Sequence, residues 1–351
     1  MYILGIDTIF RLTGAALVKE DNSVFYNEII ELDLSNVEAD YFINNHINNI
    51  LALVKKIPDN IWKDIKVIAV VNEPGAFHSL PIGVTAARVL GAVRNIPVIG
   101  VNHIIGHIYS NWINRNEKEF TLPAIVLNIS GAHNAIHRMN SHADISTLYN
   151  MAYTSERDVF PGITNLFEWI CSALSIELPR AGSGGAVLSS MALNGSVREF
   201  PEFRKIKWTL NQECVQITNT WRVINYIKRR YKKQLLDKQF QLDFAASFSH
   251  YLYGMFAREV AGIALDNGAK EIHLVGGIAA NPILRSKMET AALDSGLKFK
   301  APLEESFCLD NAAMAAIAGA YKYKYAREKG EDIVVKPDEW FYRYYFRKMF
   351  Q

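Results

Sequence analysis

Cysteine is scarce in this chain of 351 residues. Its three cysteines, Cys171, Cys214 and Cys308, lie far apart in the sequence, which excludes a disulfide framework and a Cys-x-x-Cys zinc site. Such sparse cysteine usage fits a reducing compartment. No uncharged apolar run reaches the roughly 18 residues of a membrane span. The first residues, MYILGID, lack the basic region of a signal peptide, so we expect a cytoplasmic protein without a membrane segment.

Neither sign of charge dominates the sequence. Thirty-eight Lys and Arg residues against 36 Asp and Glu give a net charge of +2, so a nucleic-acid contact would need a local basic patch. The densest basic cluster lies at residues 228–233, on a predicted helix that would ordinarily be a solvated face. Residues 340–351, WFYRYYFRKMFQ, mix aromatic and basic side chains. This tail is suited either to RNA or to packing on a protein surface.

An apolar strand, a short turn and a returning strand occur twice in the chain. The first pair is predicted at residues 1–7 and 14–18, and the second begins at about residue 122 and returns through residues 135–139. A repeat of this kind suggests two similar lobes. Further apolar strands alternate with helical segments, so the pattern predicts an α/β fold. We expect lobe one at 1–110 plus 321–351, and lobe two at 111–320.

Two histidines four residues apart form the first candidate site. On a helix, the i,i+4 spacing of His103 and His107 puts both imidazoles on one face, with roughly 5–6 Å between the Cβ atoms. Such a pair can bind a divalent metal, although two unrelated surface histidines would look the same. Asp310, directly before an alanine-rich helix, is the best third ligand. It is also a good helix N-cap, and it could fill both roles.

Two glycine-containing turns are candidate ligand loops. Gly276 and Gly277 follow an apolar strand and precede a helix, where backbone N–H groups can meet an anion and Asn281 can bond a nucleotide. A tight strand–helix connection explains the same pattern. The second turn can form an anion nest or a plain β-turn, and it comprises Ser130, Gly131, Ala132 and His133.

Several stretches, in this order, resemble the TsaD/Gcp family of tRNA N6-adenosine threonylcarbamoyltransferases. These stretches span nearly the whole chain: ILGIDT with TGAALV, EPGAFHSLPIGVTAAR, VNHIIGHI, LNISGAHN, GGAVLSSMA, VGGIAANPILR and CLDNAAMAAIAGAY. The resemblance implies the actin/sugar-kinase/Hsp70 (ASKHA) fold, with two similar lobes and a ligand cleft between them.

The resemblance also implies a set of site residues. One Fe or Zn ion would be held by His103, His107 and Asp310. An adenine nucleotide, either threonylcarbamoyl-AMP as substrate or bound ATP or AMP, would meet the loop Asn128, Ile129, Ser130, Gly131 and Ala132. Its other contacts would be Glu168, where the family has an aspartate, with Gly185, Gly276, Gly277 and Asn281.

The first loop departs from the family pattern. Family members carry an adjacent Asp-Glu pair where this chain has Arg11 and Leu12, and their SGGHT turn is SGAHN here. We therefore add Arg11, Ser130 and His133 as candidate catalytic residues. An arginine at this place forms charge-assisted bonds to a phosphate or a carboxylate, whereas two acids would repel both.

The expected reaction is transfer of the threonylcarbamoyl group from threonylcarbamoyl-adenylate to N6 of the adenosine adjacent to the anticodon in tRNA, releasing AMP. The implied partners are tRNA, TsaB/TsaE-like helper subunits and a TsaC-like enzyme that makes the adenylate. Two alternatives stay open at this point. One is a non-catalytic paralogue that keeps the site as a binding or scaffold subunit, and the other is a carbamoyltransferase acting on a small molecule.

Overall fold

The structure is a computed structural model that describes residues 1–33, 39–131, 133–154, 159–160, 162–179, 183–325 and 333–337. The strands in this part of the chain are β1 Tyr2–Asp7, β2 Leu12–Lys19, β3 Val24–Glu31, β4 Ile65–Glu73, β5 Val98–Asn102, β6 Ala124–Ile129, β7 Asn134–Ser141, β8 Asp144–Thr154, β9 Val159–Phe160, β10 Lys207–Asn211, β11 Cys214–Thr218, β12 Glu271–Val275 and β13 Lys298–Lys300. The α-helices are α1 Ala39–Val54, α2 Asp59–Trp62, α3 Leu80–Arg94, α4 His103–Tyr109, α5 Ile163–Ala173, α6 Gly184–Asn194, α7 Thr220–Arg230, α8 Lys238–Asp266, α9 Pro282–Asp294 and α10 Ala312–Tyr325. No helix in these ranges is long and apolar enough to cross a membrane.

The chain divides into two compact units. Unit 1 contains Met1–Phe120 and the C-terminal segment that begins at Pro302, and unit 2 contains Thr121–Ala301. The sequence placed residues up to 320 in the second lobe, but α10 packs on β1 and β4 of unit 1. Asp310 therefore lies in the same unit as His103 and His107.

Unit 1 is built on a five-stranded sheet with the order β3-β2-β1-β4-β5. The hairpin of β1 and β2 is antiparallel, while β4 and β5 run parallel to β1. Helix α10 lies unusually close to this sheet. A Cβ atom added to Gly5 would overlap the backbone of Ala312, and one added to Gly319 would overlap the side chain of Ala69. The glycine and alanine content of these segments thus permits the close approach.

Unit 2 is built on an eight-stranded sheet. Seven of its strands have the order β10-β11-β8-β7-β6-β12-β13, and the eighth, β9, pairs with β8. The hairpin of β6 and β7 is antiparallel, with Ile129 opposite Asn134, and β12 runs parallel to β6. Both predicted strand–turn–strand hairpins are therefore present, one in each unit. The strands β6 and β12 end at the same sheet edge, which brings their two candidate ligand loops together.

Some predicted boundaries differ from the structure. The predicted basic helix includes residues 228–230 as the last turn of α7, but Lys232 and Lys233 lie beyond its end. The aromatic-basic segment 340–351 lies outside the described residues.

Candidate functional site

The two histidines of the predicted metal site lie on one short helix. Asn102 ends β5, and its side chain accepts hydrogen bonds from the backbone N–H groups of Ile104 and Ile105, so the strand passes directly into α4. His103 is the first residue of this helix and His107 lies one turn later, with 4.7 Å between the ring centroids. The prediction that the two imidazoles share a helix face is confirmed.

Asp310 completes this cluster. Its Oδ1 atom lies 3.3 Å from Nε2 of His103 and 3.2 Å from Nε2 of His107. The candidate ligand atoms of the three residues lie within 4.8 Å of one another. Two imidazoles and a carboxylate form a donor set suited to a divalent transition metal, with coordination positions left for other ligands.

Buried donor atoms at this cluster also fit a metal ion. Both histidine side chains are buried, and neither ring nitrogen of His107 makes a well-aligned hydrogen bond within the described chain. Burying such an atom without a partner costs free energy, so a metal bond at Nε2 would relieve that cost. The residues present therefore fit the ion that the sequence implies.

Asp310 does not cap α10. The helix begins at Ala312, and the Oδ1 atom of Asn311 accepts the backbone hydrogen bond of Met314. The expectation that Asp310 opens the helix as its N-cap is therefore wrong, because the following asparagine takes that role. This division leaves the Asp310 carboxylate directed at the two histidines.

A fourth residue of the cluster, Asp7, was missed as a site residue. It ends β1, is 2% exposed, and its Oδ2 atom lies 3.4 Å from Nδ1 of His103. A carboxylate on the second nitrogen of a metal-binding histidine fixes the orientation and tautomer of the ring. The sequence signal was a buried strand that ends in an acid.

The electrostatics of the cluster favour a cation. Burial lowers the pKa of His103, but the Asp310 and Asp7 carboxylates outweigh burial and raise this pKa to about 10. Burial lowers the pKa of His107 and also opposes ionisation of Asp310, yet the neighbouring histidines hold the pKa of Asp310 well below its usual range. The buried Asp7 and the partly exposed Asp310 beside His103 thus stabilise positive charge at this point.

The second candidate loop connects β6 and β7 in unit 2. Ser130 donates its hydroxyl to the carbonyl oxygen of His133, and the Asn134 amide donates to the carbonyl oxygen of Ser130. Asn134 also accepts the backbone N–H of Ile163, the first residue of α5, at 3.0 Å. These bonds hold the loop against the start of α5. Ala132 lies outside the described residues.

The glycine turn after β12 lies against this loop. Gly276 has a φ of 90°, and a Cβ atom there would come within 2.6 Å of the Ile129 backbone and 2.7 Å of Oδ1 of Asn128. Asn128 is fully buried, and both polar atoms of its side chain lack a hydrogen-bond partner within the described residues. The structure therefore brings Asn128, Ile129 and Gly276 together, with Gly277 next in the chain.

The remaining predicted nucleotide contacts belong to the helices of unit 2. Gly185 is in the first turn of α6, and a Cβ atom there would lie 3.3 Å from Ile278, the residue that follows Gly277. Glu168 belongs to α5, and its backbone touches α6 at Gly184. Asn281 is the N-cap of α9, and it also donates to Oγ of Ser189 at 2.7 Å.

Arg11 lies in unit 1, before β2, and its side chain is partly buried. Its Nη1 atom lies 3.7 Å from Oε2 of Glu31, the last residue of β3. The pair is longer than a hydrogen bond and the Glu31 side chain is 55% exposed, so solvent weakens the attraction between the two groups.

Comparisons with known proteins identify a family that matches most of this chain. Residues 41–317 match the model of the TsaD family, tRNA N6-adenosine threonylcarbamoyltransferase. The enzyme of that name from Fusobacterium nucleatum is 30% identical over 343 residues, covering 94% of this chain and 93% of the relative. The one from Campylobacter fetus is 32% identical over 330 residues, covering 92% of each.

Solved structures share the fold at low sequence identity. Full-length HypF in its phosphate- and nucleotide-bound form has a TM-score of 0.59 at 14% identity, covering 93% of this chain and 47% of that one. Component A of (R)-2-hydroxyglutaryl-CoA dehydratase from Acidaminococcus fermentans has a TM-score of 0.51 at 14% identity, covering 92% and 98%. The predicted α/β fold of the ASKHA class is thereby confirmed. Since the family model spans most of the chain and relatives about 30% identical cover over 90% of it, the chain belongs to the tRNA N6-adenosine threonylcarbamoyltransferase family.

Proposed function

We propose that this protein transfers the threonylcarbamoyl group of threonylcarbamoyl-adenylate to N6 of the adenosine adjacent to the anticodon in tRNA. The N6 amine attacks the carbamoyl carbon, the bond from that carbon to the phosphate oxygen breaks, N6 loses a proton, and AMP leaves. The observation that carries the proposal is the convergence of His103, His107 and Asp310 in a chain of this family.

The metal cluster supplies the first part of the mechanism. His103, His107 and Asp310 would hold one Fe or Zn ion, which when bound would act as a Lewis acid on the substrate. Asp7 lies 3.4 Å from Nδ1 of His103, and it is proposed to orient the imidazole so that its Nε2 atom points at Asp310. This orientation limits the reorganisation that the ligands need when the ion binds.

The loop between β6 and β7 would bind the leaving phosphate. Backbone N–H groups at residues 130–132 are proposed to stabilise negative charge as AMP departs. The Ser130 N–H donates to the His133 carbonyl oxygen at 3.4 Å, and it would have to exchange that partner for the phosphate. The bond from the Ser130 hydroxyl to the backbone carbonyl oxygen of His133 supports a fixed loop conformation. Both residues are proposed as catalytic residues. The buried, unpartnered amide of Asn128 is a further donor beside this loop.

The remaining contacts would select the adenine nucleotide. Gly276 and Gly277 allow backbone to approach the nucleotide closely, while Gly185, Glu168 and Asn281 are proposed to contact the nucleoside. The capping role of Asn281 occupies its side-chain oxygen and Ser189 accepts one amide N–H, so a nucleoside contact would use the second amide N–H.

Helper subunits of the TsaB and TsaE kind, and a TsaC-like enzyme that makes the adenylate, are the proposed protein partners. Two packed helices of unit 1 support a helper contact, because each carries exposed aliphatic side chains at i,i+4 spacing. These are Ile47 and Leu51 on α1, and Val89 and Val93 on α3. The tRNA substrate implies a reaction in the cytoplasm.

Mass spectrometry of tRNA nucleosides tests this proposal. Purified protein with metal, helper subunits and threonylcarbamoyl-adenylate should convert the target adenosine, and an otherwise identical tRNA with guanosine there should stay unmodified. The His107→Ala variant should lose nearly all transfer. A wild-type protein that binds the adenylate but modifies no tRNA would instead support a binding or scaffold subunit. Modification of small-molecule acceptors alone would support the other alternative.

A further inference from the structure

Helix α7 carries a concentrated basic surface in unit 2. Residues 214–236 contain no Asp or Glu, in a chain whose net charge is only +2. The exposed residues of the helix and of the turn after it form what we call the α7 surface, consisting of Arg222, Tyr226, Lys228, Arg229, Lys232 and Lys233.

The geometry of α7 presents these side chains to solvent. Val223, Ile224 and Ile227 form its buried face. Arg222, Tyr226 and Arg229 follow one another at i, i+4 and i+7, so they form a stripe on the opposite face. With a rise of 1.5 Å per residue, the two arginines lie about 10 Å apart along the helix.

The cations of the α7 surface are available to an external partner. Within the described residues, the side chains of Arg222, Lys232 and Lys233 make no hydrogen bond or ion pair. Arg230, in contrast, is bonded to the buried Glu202 at 2.6 Å, and it belongs to the structure of the unit. Unpaired cations without a nearby acid repel one another, and a polyanion relieves that repulsion.

An aromatic ring lies within this basic surface. Tyr226 is 47% exposed, and the Nζ atom of Lys205 lies 5.9 Å from its ring centroid. Cations on either side of an exposed ring can bind the phosphates of a single RNA strand, while a base between those phosphates stacks on the ring. A membrane fits less well, because an interfacial helix needs an apolar face to insert and that of α7 is buried in the protein.

The position of α7 connects this surface to the candidate phosphate loop. Helix α7 packs against α5, and the backbone N–H of Thr164 in the first turn of α5 donates to the Gly131 carbonyl at 3.4 Å. One packed helix thus separates the basic surface from the loop, within the same unit.

We propose that the α7 surface binds the phosphate backbone of the tRNA substrate, with Tyr226 stacking on a base. This inference rests on the proposed function for the identity of the RNA. The contact is mainly electrostatic and positions the tRNA without reading its sequence.

The test compares two triple variants in tRNA binding over a series of salt concentrations, with an unmodified tRNA transcript as the probe. The first carries Arg222→Gln, Arg229→Gln and Lys233→Gln. The control removes three exposed cations elsewhere, through Lys55→Gln, Lys63→Gln and Lys270→Gln. The salt slope is the change in the logarithm of the binding constant with the logarithm of salt concentration, and each lost phosphate contact reduces its magnitude by about 0.7 to 0.9. The slope of the first variant should therefore be smaller by about 2, and that of the control should be unchanged. The affinity of the first variant for tRNA near physiological salt should fall about tenfold.

Further variants separate charge from folding. Arg222→Lys with Arg229→Lys keeps the charge and should keep the salt slope, while Lys233→Gln alone lies beyond the helix and should lower the slope by about 1. Thermal melts of all variants should match that of the wild type. An unchanged slope in both the triple variant and Lys233→Gln would overturn the inference. Loss of binding to phosphatidylserine vesicles without loss of tRNA binding would overturn it in favour of a membrane.

Failure of this inference is distinguishable from failure of the proposed function. If the wild type modifies tRNA and the triple variant keeps the wild-type slope, the function stands and the α7 surface has another role. If the wild type modifies no tRNA but the variant loses salt-dependent binding, the surface binds RNA and the proposed reaction is wrong.

Discussion

The Oδ2 atom of Asp7 lies 3.4 Å from Nδ1 of His103, while Nε2 of the same ring lies 3.3 Å from Asp310. The imidazole thus lies between two carboxylates, one at each nitrogen. Because Asp7 ends β1 and His103 begins α4, this arrangement depends on the sheet of unit 1. The sheet therefore positions a metal ligand through a residue that need not touch the metal.

Substitution of Asp7 should weaken metal binding without removing a ligand. We expect Asp7→Asn to lower the affinity for Zn²⁺ by about 10- to 100-fold, the usual cost of losing a carboxylate behind a ligating histidine. Competition with a chromogenic chelator on metal-free protein measures this affinity. Asp64→Asn, at an exposed position of the same unit, serves as the control and should bind as the wild type does. Equal affinities for all three proteins would contradict the positioning role.

Neighbouring residues before α10 should separate metal binding from helix capping. Asp310→Asn should reduce the metal content of the purified protein strongly, because two histidines alone hold the ion poorly. Asn311→Ala should keep the metal but lose about 1 kcal/mol of unfolding free energy, since it removes the cap on Met314. Elemental analysis and urea denaturation of metal-free protein measure the two effects. The assignment fails if Asn311→Ala loses the metal and Asp310→Asn retains it.

Local patterns in the sequence were sufficient for part of this site. The spacing of His103 and His107 has meaning within one helix turn, so it could be interpreted without knowing the fold. The contact of Asp7 with His103 joins residues 96 positions apart, and no local pattern encodes it. Asp310 and Asn311 were equally good caps by residue type, and only the helix start at Ala312 distinguishes them. The hairpins were predictable because apolar strands and polar turns are local features.

Gly276 should tolerate no side chain, because two effects act there. Its φ of 90° is unfavourable for alanine, and a Cβ atom would overlap the Ile129 backbone at 2.6 Å. Gly268 is the matched control, since its φ is also positive at 62° but a Cβ atom would meet open space. We expect Gly268→Ala to cost about 1 kcal/mol of unfolding free energy and Gly276→Ala at least about 2 kcal/mol more. Urea denaturation of both variants measures this difference, and equal costs would show that the close approach is unimportant.

Histidine burial should make the stability depend on pH. His46 is fully buried, with 2.8 Å from its Nδ1 atom to Oγ1 of Thr13 and 3.0 Å from Nε2 to the Phe10 carbonyl oxygen. Burial lowers the pKa of His46 from 6.5 to about 4. The hydrogen bond to the Phe10 carbonyl oxygen raises this pKa and the charge of His78 lowers it, and both effects are smaller than that of burial. Between these values the unfolded chain binds a proton that the folded protein does not, so stability falls as pH drops from 6.5 towards 4.

The His46→Gln variant tests this dependence. Its loss of unfolding free energy between pH 7 and pH 5 should be smaller than that of the wild type by about 2 kcal/mol. Urea denaturation at the two pH values supplies both differences. His78 and His137 also have lowered pKa values and should leave a residual pH dependence in the variant. Parallel pH profiles for variant and wild type would exclude His46 as a source.

Arg11 should act on ligand binding rather than on the rate of transfer. The family carries two acids in this loop, whereas here a guanidinium lies 3.7 Å from Glu31 in a weak, partly exposed pair. If Arg11 binds the phosphate or carboxylate of the adenylate, Arg11→Gln should raise KM for the adenylate by roughly three- to tenfold. The kcat value should stay the same, because an interaction equally strong in the ground state and the transition state does not lower the barrier between them.

The matched variant is Glu31→Gln, which removes the internal partner and leaves Arg11 in place. It should bind the adenylate as tightly as the wild type or more tightly, since the guanidinium no longer has a competing anion. Steady-state kinetics with tRNA in excess and AMP affinity by calorimetry measure both variants. If Arg11 served only its pair with Glu31, the two substitutions would remove the same interaction and leave both KM and AMP affinity unchanged. If Arg11→Gln lowers the AMP affinity and Glu31→Gln raises it, Arg11 binds the ligand and Glu31 competes with that ligand for the guanidinium.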